Sequence, residues 1–532
     1  MGHEIIDSLW DHVKKTDEVD SYFHTTARGK PLVRSVNLDT EEKVVQACLA
    51  KTRNSGNSGW SYDPQCMKHE YGGAGNNWAM GHMCSDDFLQ GSVNCLRRQL
   101  ELCDMTSGLI ITHSVGGGTG SGLGTRLTET IYDEFSDTQR INLAITPYHF
   151  GEVIVQHYNT LLCLSKISST SDAVILYENE VARDMCKSKK GIAAPSLVDI
   201  NSTIAENIVP LLLTKHDLGS FESTKIAKVK SSSLSISLTD DIIDLCAHPY
   251  YKFLSVYTVP QTSVNSIEFT YDSWSSLLNS TGRVQQQQAI AYEYHSSTNT
   301  PNKSDGATLQ AGTEERNCPG VSSPATPRQR SPRSTPNSAG KYDSPSSGMA
   351  GAPSSSPSTS PAQQPKLSCV KSLLTFHGLD PQLAIPEILN KYYTSHSHYN
   401  ASQRHHAQGR QSVMSPGSGA TSTGDPYSYT TGLHVVHSIW SQYCNYSTWG
   451  KRNSHIQCRG SHHLANKYQR SASCISNNNA CVPILQRSLD KATQLYRANA
   501  YVHHYYDYGL ESGDFTEAIR SIAQTVHHYN DI

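Results

Sequence analysis

Paired cysteines are missing from this 532-residue chain: its fourteen Cys are scattered, with no Cys-x-x-Cys pair and no Cys/His spacing of the kind that holds zinc. A disulfide framework and a structural zinc site are thereby excluded, and the cysteines read as free thiols of a reducing compartment. No secretory signal is legible at the start. Met1-Gly2 offers no myristoylation context, because Ile6 stands where Ser or Thr is wanted. Long hydrophobic runs are missing too. Stretches such as Leu109–Ile111 and Leu211–Leu213 fall far short of the roughly 20 residues that span a bilayer, so no membrane insertion is expected. Acidic and basic residues nearly balance: a net charge of -3 and a pI near 6.8 argue against a nucleic-acid surface or a polybasic membrane patch. The expectation is a soluble cytosolic protein.

The chain is long enough for two or three domains, each with its own core. Only 37% of residues are hydrophobic and 17% charged, with a mean hydropathy of -0.48, which describes a folded protein carrying a sizeable disordered share. Up to about Lys190, short apolar runs alternate with helical patterns. Val33–Leu38, Leu109–His113, Leu143–Thr146 and Ala173–Tyr177 read as strands, and their continuous apolar character suits a parallel sheet covered on both faces. Asp86–Leu102 and Ser121–Phe135 read as helices; in the second, Leu123, Leu127, Ile131 and Phe135 form one apolar stripe. Such alternation predicts a doubly wound α/β domain with its ligand at the carboxyl ends of the strands.

Residues 298–365 are dominated by Ser, Pro, Thr, Gly and Gln and cannot bury enough apolar surface to offset ordering entropy. Their Ser-Pro and Thr-Pro pairs are candidate phosphorylation targets. A second polar tract, residues 395–425, carries His396, His398, His405 and His406, for which solvated low-complexity loop outweighs metal site. From Pro483 to Tyr506, and again from Phe515 to Tyr529, the pattern is helical. The expected domains are 1–196 (nucleotide-binding α/β), 197–297 and 366–482 (a core helix and an α+β domain, interrupted by the 298–365 insertion) and 483–532 (closing helices).

The sharpest chemical feature is Gly116-Gly-Gly-Thr-Gly-Ser-Gly122, running from a strand end into a helix. Glycines let backbone approach a phosphate closely, successive N–H groups form an anion nest, and the helix amino terminus adds partial positive charge. Ser114, Gly116, Gly117, Gly118, Thr119, Gly120 and Ser121 are therefore the candidate phosphate cradle. The motif lacks the Gly-Lys-Ser/Thr of a P-loop, and it is not the dinucleotide fingerprint of a first strand.

With His113-Ser114-Val115 before it and Leu123-Gly124-Thr125 after it, the motif resembles the tubulin signature, and the resemblance extends in order along the chain. Gly73-Ala-Gly-Asn-Asn-Trp-Ala79 resembles the upstream phosphate loop of that family, making Ala74, Gly75 and Asn76 candidates. Val33–Asp39 with Glu41 resembles the strand and acidic loop near the phosphate-bound magnesium, so Asp39 and Glu41 are expected to orient Mg through water. Gly151–Asn159 resembles the ribose loop of delta-tubulins, with Gln156-His157-Tyr158-Asn159 where alpha and beta forms have Glu-Pro-Tyr-Asn; Glu152 is the expected ribose contact. Asn179 and Asn201 fall where the family reads guanine, two amides able to offer donor and acceptor together. The resemblance covers roughly 1–300 and 470–532, is faint in 366–470 and absent from the insertion.

It implies a tubulin/FtsZ-like doubly wound GTPase domain, a second α+β domain and C-terminal helices, binding GTP or GDP with magnesium. The implied partners are other tubulins, alpha and beta or other centriolar forms, and centriolar proteins; the implied location is the cytoskeleton at centrioles, basal bodies and cilia. Departures qualify this. The family's first strand and its Gly-Gln-Cys-Gly-Asn-Gln loop have no counterpart before Gly2-His-Glu-Ile-Ile6, which resembles the following helix, so a central strand is expected to be missing. Leu197 replaces the ring that stacks on guanine. The hydrolysis acid of the family falls near Asp240, with Asp241 adjacent. No long acidic tail follows Tyr529. Three functions follow: a polymer-forming GTP-binding subunit, a non-polymerising GTP-binding regulatory or scaffold protein, and, with little support, a dinucleotide enzyme.

Overall fold

The computed structural model describes residues 2–16, 19–26, 29–54, 59–70, 72–149, 151, 153–213, 215–218, 237–263, 266, 273–298, 366–378, 380–392, 429–447, 455–466 and 468–532. The Ser/Pro-rich insertion and the polar tract 395–425 lie outside them. The chain divides into a unit of Met1–Thr298 with Pro365–Ile532 and a second of Asn299–Gln364, the latter wholly outside the described residues.

The first unit is mixed α/β around one sheet. Its strands are β1 (Leu109–Ser114), β2 (Arg140–Thr146), β3 (Ala173–Glu178), β4 (His216–Asp217), β5 (Phe253–Val259), β6 (Leu367–Gly378), β7 (Cys444–Tyr446), β8 (Ile456–Ser461) and β9 (Arg470–Asn478). Their order is β1-β2-β3-β5-β9-β6-β8-β4, with β7 beside β6. The pairs from β1 to β5 are parallel, whereas β5–β9 and β9–β6 are antiparallel. Parallel pairing needs long crossovers, and here helices supply them. These are α5 (Gly124–Glu134) between β1 and β2, and α6 (Gln156–Thr170) between β2 and β3.

The amino-terminal helix α1 (Gly2–Val13) packs on the core helix α8 (Leu197–Leu212). Between these in sequence lie α2 (Glu42–Asn54), α3 (Trp78–His82), α4 (Asp86–Glu101) and α7 (Asn179–Ser188). The start of α8 is fixed by a capping box in which Ser196 N–H donates to Asp199 Oδ2 at 2.8 Å. Ile200, Ile204, Ile208 and Val209 of α8 are buried in the core on one side of the sheet. On the other side α12 (Val482–Arg497) and α13 (Ser512–Asn530) cover α6, numbering α9 (Leu238–Leu245), α10 (Trp274–Thr298) and α11 (Tyr429–Trp440) before them. Tyr529, fully buried near the end of α13, accepts the Phe253 N–H (2.9 Å) and donates to Asn477 Oδ1 (2.8 Å), stitching that helix to β5 and β9.

Two expectations are refined. The strand read across Val33–Leu38 is two short ones, Pro31–Val33 and Asn37–Asp39, because Arg34–Val36 turns the chain; Asn37–Asp39 pairs in parallel with Met67–His69 in a separate small sheet. The helix read from Pro483 to Tyr506 ends at Arg497, and a short turn, His503–Tyr506, stands apart from it. Among the described residues β1 pairs on one side only, with β2. A cavity of about 1570 Å³ opens along that edge, between β1 and Asn37–Asp39, walled by Leu9, Val44, Cys48, Leu127 and Leu212.

Candidate functional site

The glycine loop sits at the upper end of this cavity, where β1 gives way to a wide π turn, Thr119–Leu123, that leads into α5. Part of its glycine content answers to loop packing: a Cβ on Gly118 would lie 2.4 Å from the Ala74 carbonyl, and one on Gly122 would lie 2.1 Å from the Trp78 carbonyl. The two phosphate-loop candidates thus touch backbone to backbone, a contact only glycine permits. Gly117 differs: a Cβ there would meet Asn76 Oδ1 at 3.7 Å, an ordinary contact. Asn76 itself holds φ +53°, uncommon for a residue with a side chain.

The structure brings Asp39, Glu41, Asn76, Ser114, Gly116, Gly117, Gly118, Thr119, Gly120 and Asn179 to the lining of one cavity. Ala74, Gly75, Ser121 and Asn201 stand behind it. Ala74 packs on Gly118. The Ser121 hydroxyl is fully buried and donates to the Gly117 carbonyl, bracing the loop from within. Asn201 is buried just past the first turn of α8. Thr119 Oγ1 lies 2.6 Å from Thr40 Oγ1, which ties the glycine loop to the acidic loop beside it. There Asp39 Oδ1 accepts the Glu41 N–H at 3.1 Å, and Glu41 pairs with Lys43 at 2.9 Å in solvent. Glu152 lies outside the described residues.

Beneath the loop, His113 is enclosed, and burial holds its pKa below the usual value. Its Nε2 donates to Asn142 Oδ1 at 2.8 Å, and Asn142 Nδ2 donates to Ser171 Oγ at 2.6 Å. The surroundings of Asn179 are held otherwise. Glu178, just before Asn179, accepts from Arg487 Nη1 of α12 (3.0 Å) and from His149 Nε2 (3.2 Å). Burial pushes its carboxyl up, but His149 and Arg487 together hold it below the usual range. His157 behind them is pushed down to about 4, by burial first and then by Lys491, Arg487 and His149. Leu197 lines the cavity and is 45% exposed.

Two adjacent acids separate cleanly. Asp240 caps its own helix α9, accepting from Ser237 N and Oγ, each at 2.8 Å. Asp241 is fully buried, bonded by Lys215 Nζ at 2.9 Å and by Arg459 Nε at 3.4 Å. This buried charged trio was not foreseen in sequence, since lone Lys, Asp and Arg residues read as surface. Of α9, Leu238 and Thr239 are the residues that face the cavity. Among the described residues no helix is long and apolar enough to cross a membrane, and no cluster of three or more His, Cys, Asp or Glu is arranged to hold a metal.

Residues 1–187 match the family model described as Tubulin/FtsZ family, GTPase domain. Nearly the whole chain is similar to the tubulin delta chain of Homo sapiens, 27% identical over 512 residues, which span 96% of this chain and 89% of the human protein. The tubulin delta chain of Mus musculus is 25% identical over 517 residues, with the same shares of 96% and 89%. The tubulin beta-1 chain of Colletotrichum gloeosporioides is 34% identical over 194 residues, 36% of this chain and 42% of that protein. Parallel sheet, glycine loop at a strand–helix junction and matched domain define a GTP- and GDP-binding α/β domain. Residues 1–187 carry the tubulin/FtsZ-type domain, and the chain, similar to delta chains over nearly its whole length, is a tubulin-like cytoskeletal protein.

Proposed function

We propose that this chain is a guanine-nucleotide-binding subunit that associates with other tubulins and serves microtubules of centrioles and basal bodies, and through them cilia. The observation that carries the nucleotide part is the junction of Gly116–Gly120, Asn76 and Asp39 around one cavity, with the amino terminus of α5 behind the loop. The centriolar part rests on the resemblance to delta chains, which match over nearly the full length.

The residues present suit a nucleotide at that cavity. Gly116–Gly120 line the cavity, and backbone N–H groups at a helix start favour an anion. When bound, the nucleotide supplies a phosphoanhydride and magnesium offsets its charge. Asp39 and Glu41 would orient that ion's waters. Asn179, Asn201 and Glu152 are assigned to base and ribose. Hydrolysis would call on Asp240 reaching a neighbouring subunit's nucleotide, where orientation of water is the main requirement.

The fixed state of that acid favours a second reading, a GTP-binding scaffold that does not polymerise: Asp240 is engaged by Ser237, and Asp241 is sealed between Lys215 and Arg459. Identification of nucleotide released from the purified protein tests the shared part, with GTP or GDP expected; a nucleotide-free protein that also refuses added GDP sinks both readings. Sedimentation with alpha/beta-tubulin and GTP separates the two, since only the first predicts co-assembly.

A further inference from the structure

We propose that Asn159 and Tyr505 form a brace that positions the two phosphate loops, making the short segment between the terminal helices part of the nucleotide cradle; this rests on the nucleotide reading above. Asn159 lies in the first turn of α6 with no exposed surface. An amide side chain offers two donor hydrogens and an oxygen with two acceptor sites, and here all four are engaged. Nδ2 donates to the Asn76 carbonyl at 2.7 Å and to the Gly116 carbonyl at 3.0 Å. Oδ1 accepts the Trp78 N–H at 2.9 Å and the Tyr505 hydroxyl at 2.7 Å. Three of the four bonds end on the loops that face the cavity, and the fourth ends on the turn His503–Tyr506.

The segment that carries this turn, residues 500–506, is bound to the same place twice more. Asn77 Nδ2 donates to the His504 carbonyl at 2.7 Å, and the Tyr158 hydroxyl donates to the Ala500 carbonyl at 3.1 Å. Asn76 holds a left-handed backbone, which asparagine tolerates better than other residues with a side chain, and the Asn159 bond to its carbonyl is a contact that helps to fix it. A buried network with every valence filled is stiff, and withdrawing one partner strands a polar atom. The loops are therefore held at the spacing that phosphate requires from behind, by an amide anchored to Tyr505.

The full chain carrying Tyr505→Phe tests this. The change deletes one hydroxyl and keeps the ring in its edge contacts with Tyr158 and Phe515, centroids 5.5 and 5.4 Å away. GDP and GTP affinity should fall about fivefold to tenfold, the weight of one hydrogen bond. Guanosine, which has no phosphates, should compete against labelled GDP as well as it does in the unsubstituted protein. Hydrogen exchange should quicken at residues 76–78 and 116–118 and stay unchanged in β2 and β3. Asn159→Ala should show the same pattern more strongly, while Tyr505→Phe keeps the test open if that variant fails to fold. Equal weakening of GDP and guanosine, or unchanged GDP affinity and loop exchange, overturns the brace while leaving the nucleotide reading intact. A wild-type chain that binds neither GDP nor GTP removes that reading, and the brace with it.

Discussion

The two ends of the proposed nucleotide site, one assigned to phosphate and one to base, are built by different means. The phosphate end is main chain packed on main chain, Gly118 against Ala74 and Gly122 against Trp78, held by neutral amides and hydroxyls. The base end is made of side chains from separate elements, Asn179 at the head of α7 and Leu197 at the head of α8, backed by charged and titratable groups. The comparison teaches that shape at one end is fixed by what cannot fit, and at the other by which groups are ionised.

Gly118→Ala tests the first half most severely. Its methyl would meet the Ala74 carbonyl at 2.4 Å and the Asn77 nitrogen at 2.8 Å, both backbone. The loops must part, and GDP affinity should drop by about 100-fold, equivalent to roughly 3 kcal/mol, with a lower melting temperature. Titration with GDP and thermal unfolding check it; near-normal binding would mean that the loops do not depend on contact.

Acid tests the second half. His157 has a folded pKa depressed from 6.5 to about 4, so its contribution to stability is present above 6.5 and is lost as pH falls towards 4. Urea unfolding from pH 7 to 4 should show stability declining through that window, and His157→Gln should flatten the decline. An unaltered slope in that variant would move the acid sensitivity elsewhere. A smaller effect, of opposite sign, is expected from Leu197→Tyr. A ring at this exposed cavity position should stack on a base and gain about 1 kcal/mol, or about fivefold in GDP affinity, with little gain for inorganic pyrophosphate. Smallest of all, Lys43→Ala removes a solvent-exposed partner of Glu41, and GDP affinity should stay unchanged within error at physiological salt.

The phosphate end was the more legible in sequence, for a physical reason. Glycines in succession have few uses, and their place between an apolar strand and a helical stripe says where the turn must be. Strands β1 and β3 and helices α4 and α13 were visible in the same way, through period and composition. What escaped was set by distant partners. Asn159 looks like any polar residue at a helix start, and its four bonds reach residues 43 to 346 positions away. Asp240 and Asp241 are equivalent in one dimension, and only the register of α9 sends one to its own cap and the other to Lys215 and Arg459. The strand expected across Val33–Leu38 was broken at Arg34–Val36, a turn with neither glycine nor proline to announce it.

Tyr529 adds a constraint on biosynthesis. Its hydroxyl completes hydrogen bonds inside the sheet, to Phe253 of β5 and Asn477 of β9. While the ribosome still holds that residue, the middle of the sheet keeps two polar groups without their native partner and lacks its α13 cover. The sheet therefore reaches its final packing only once α13 has docked on it, however early its parallel strands have paired.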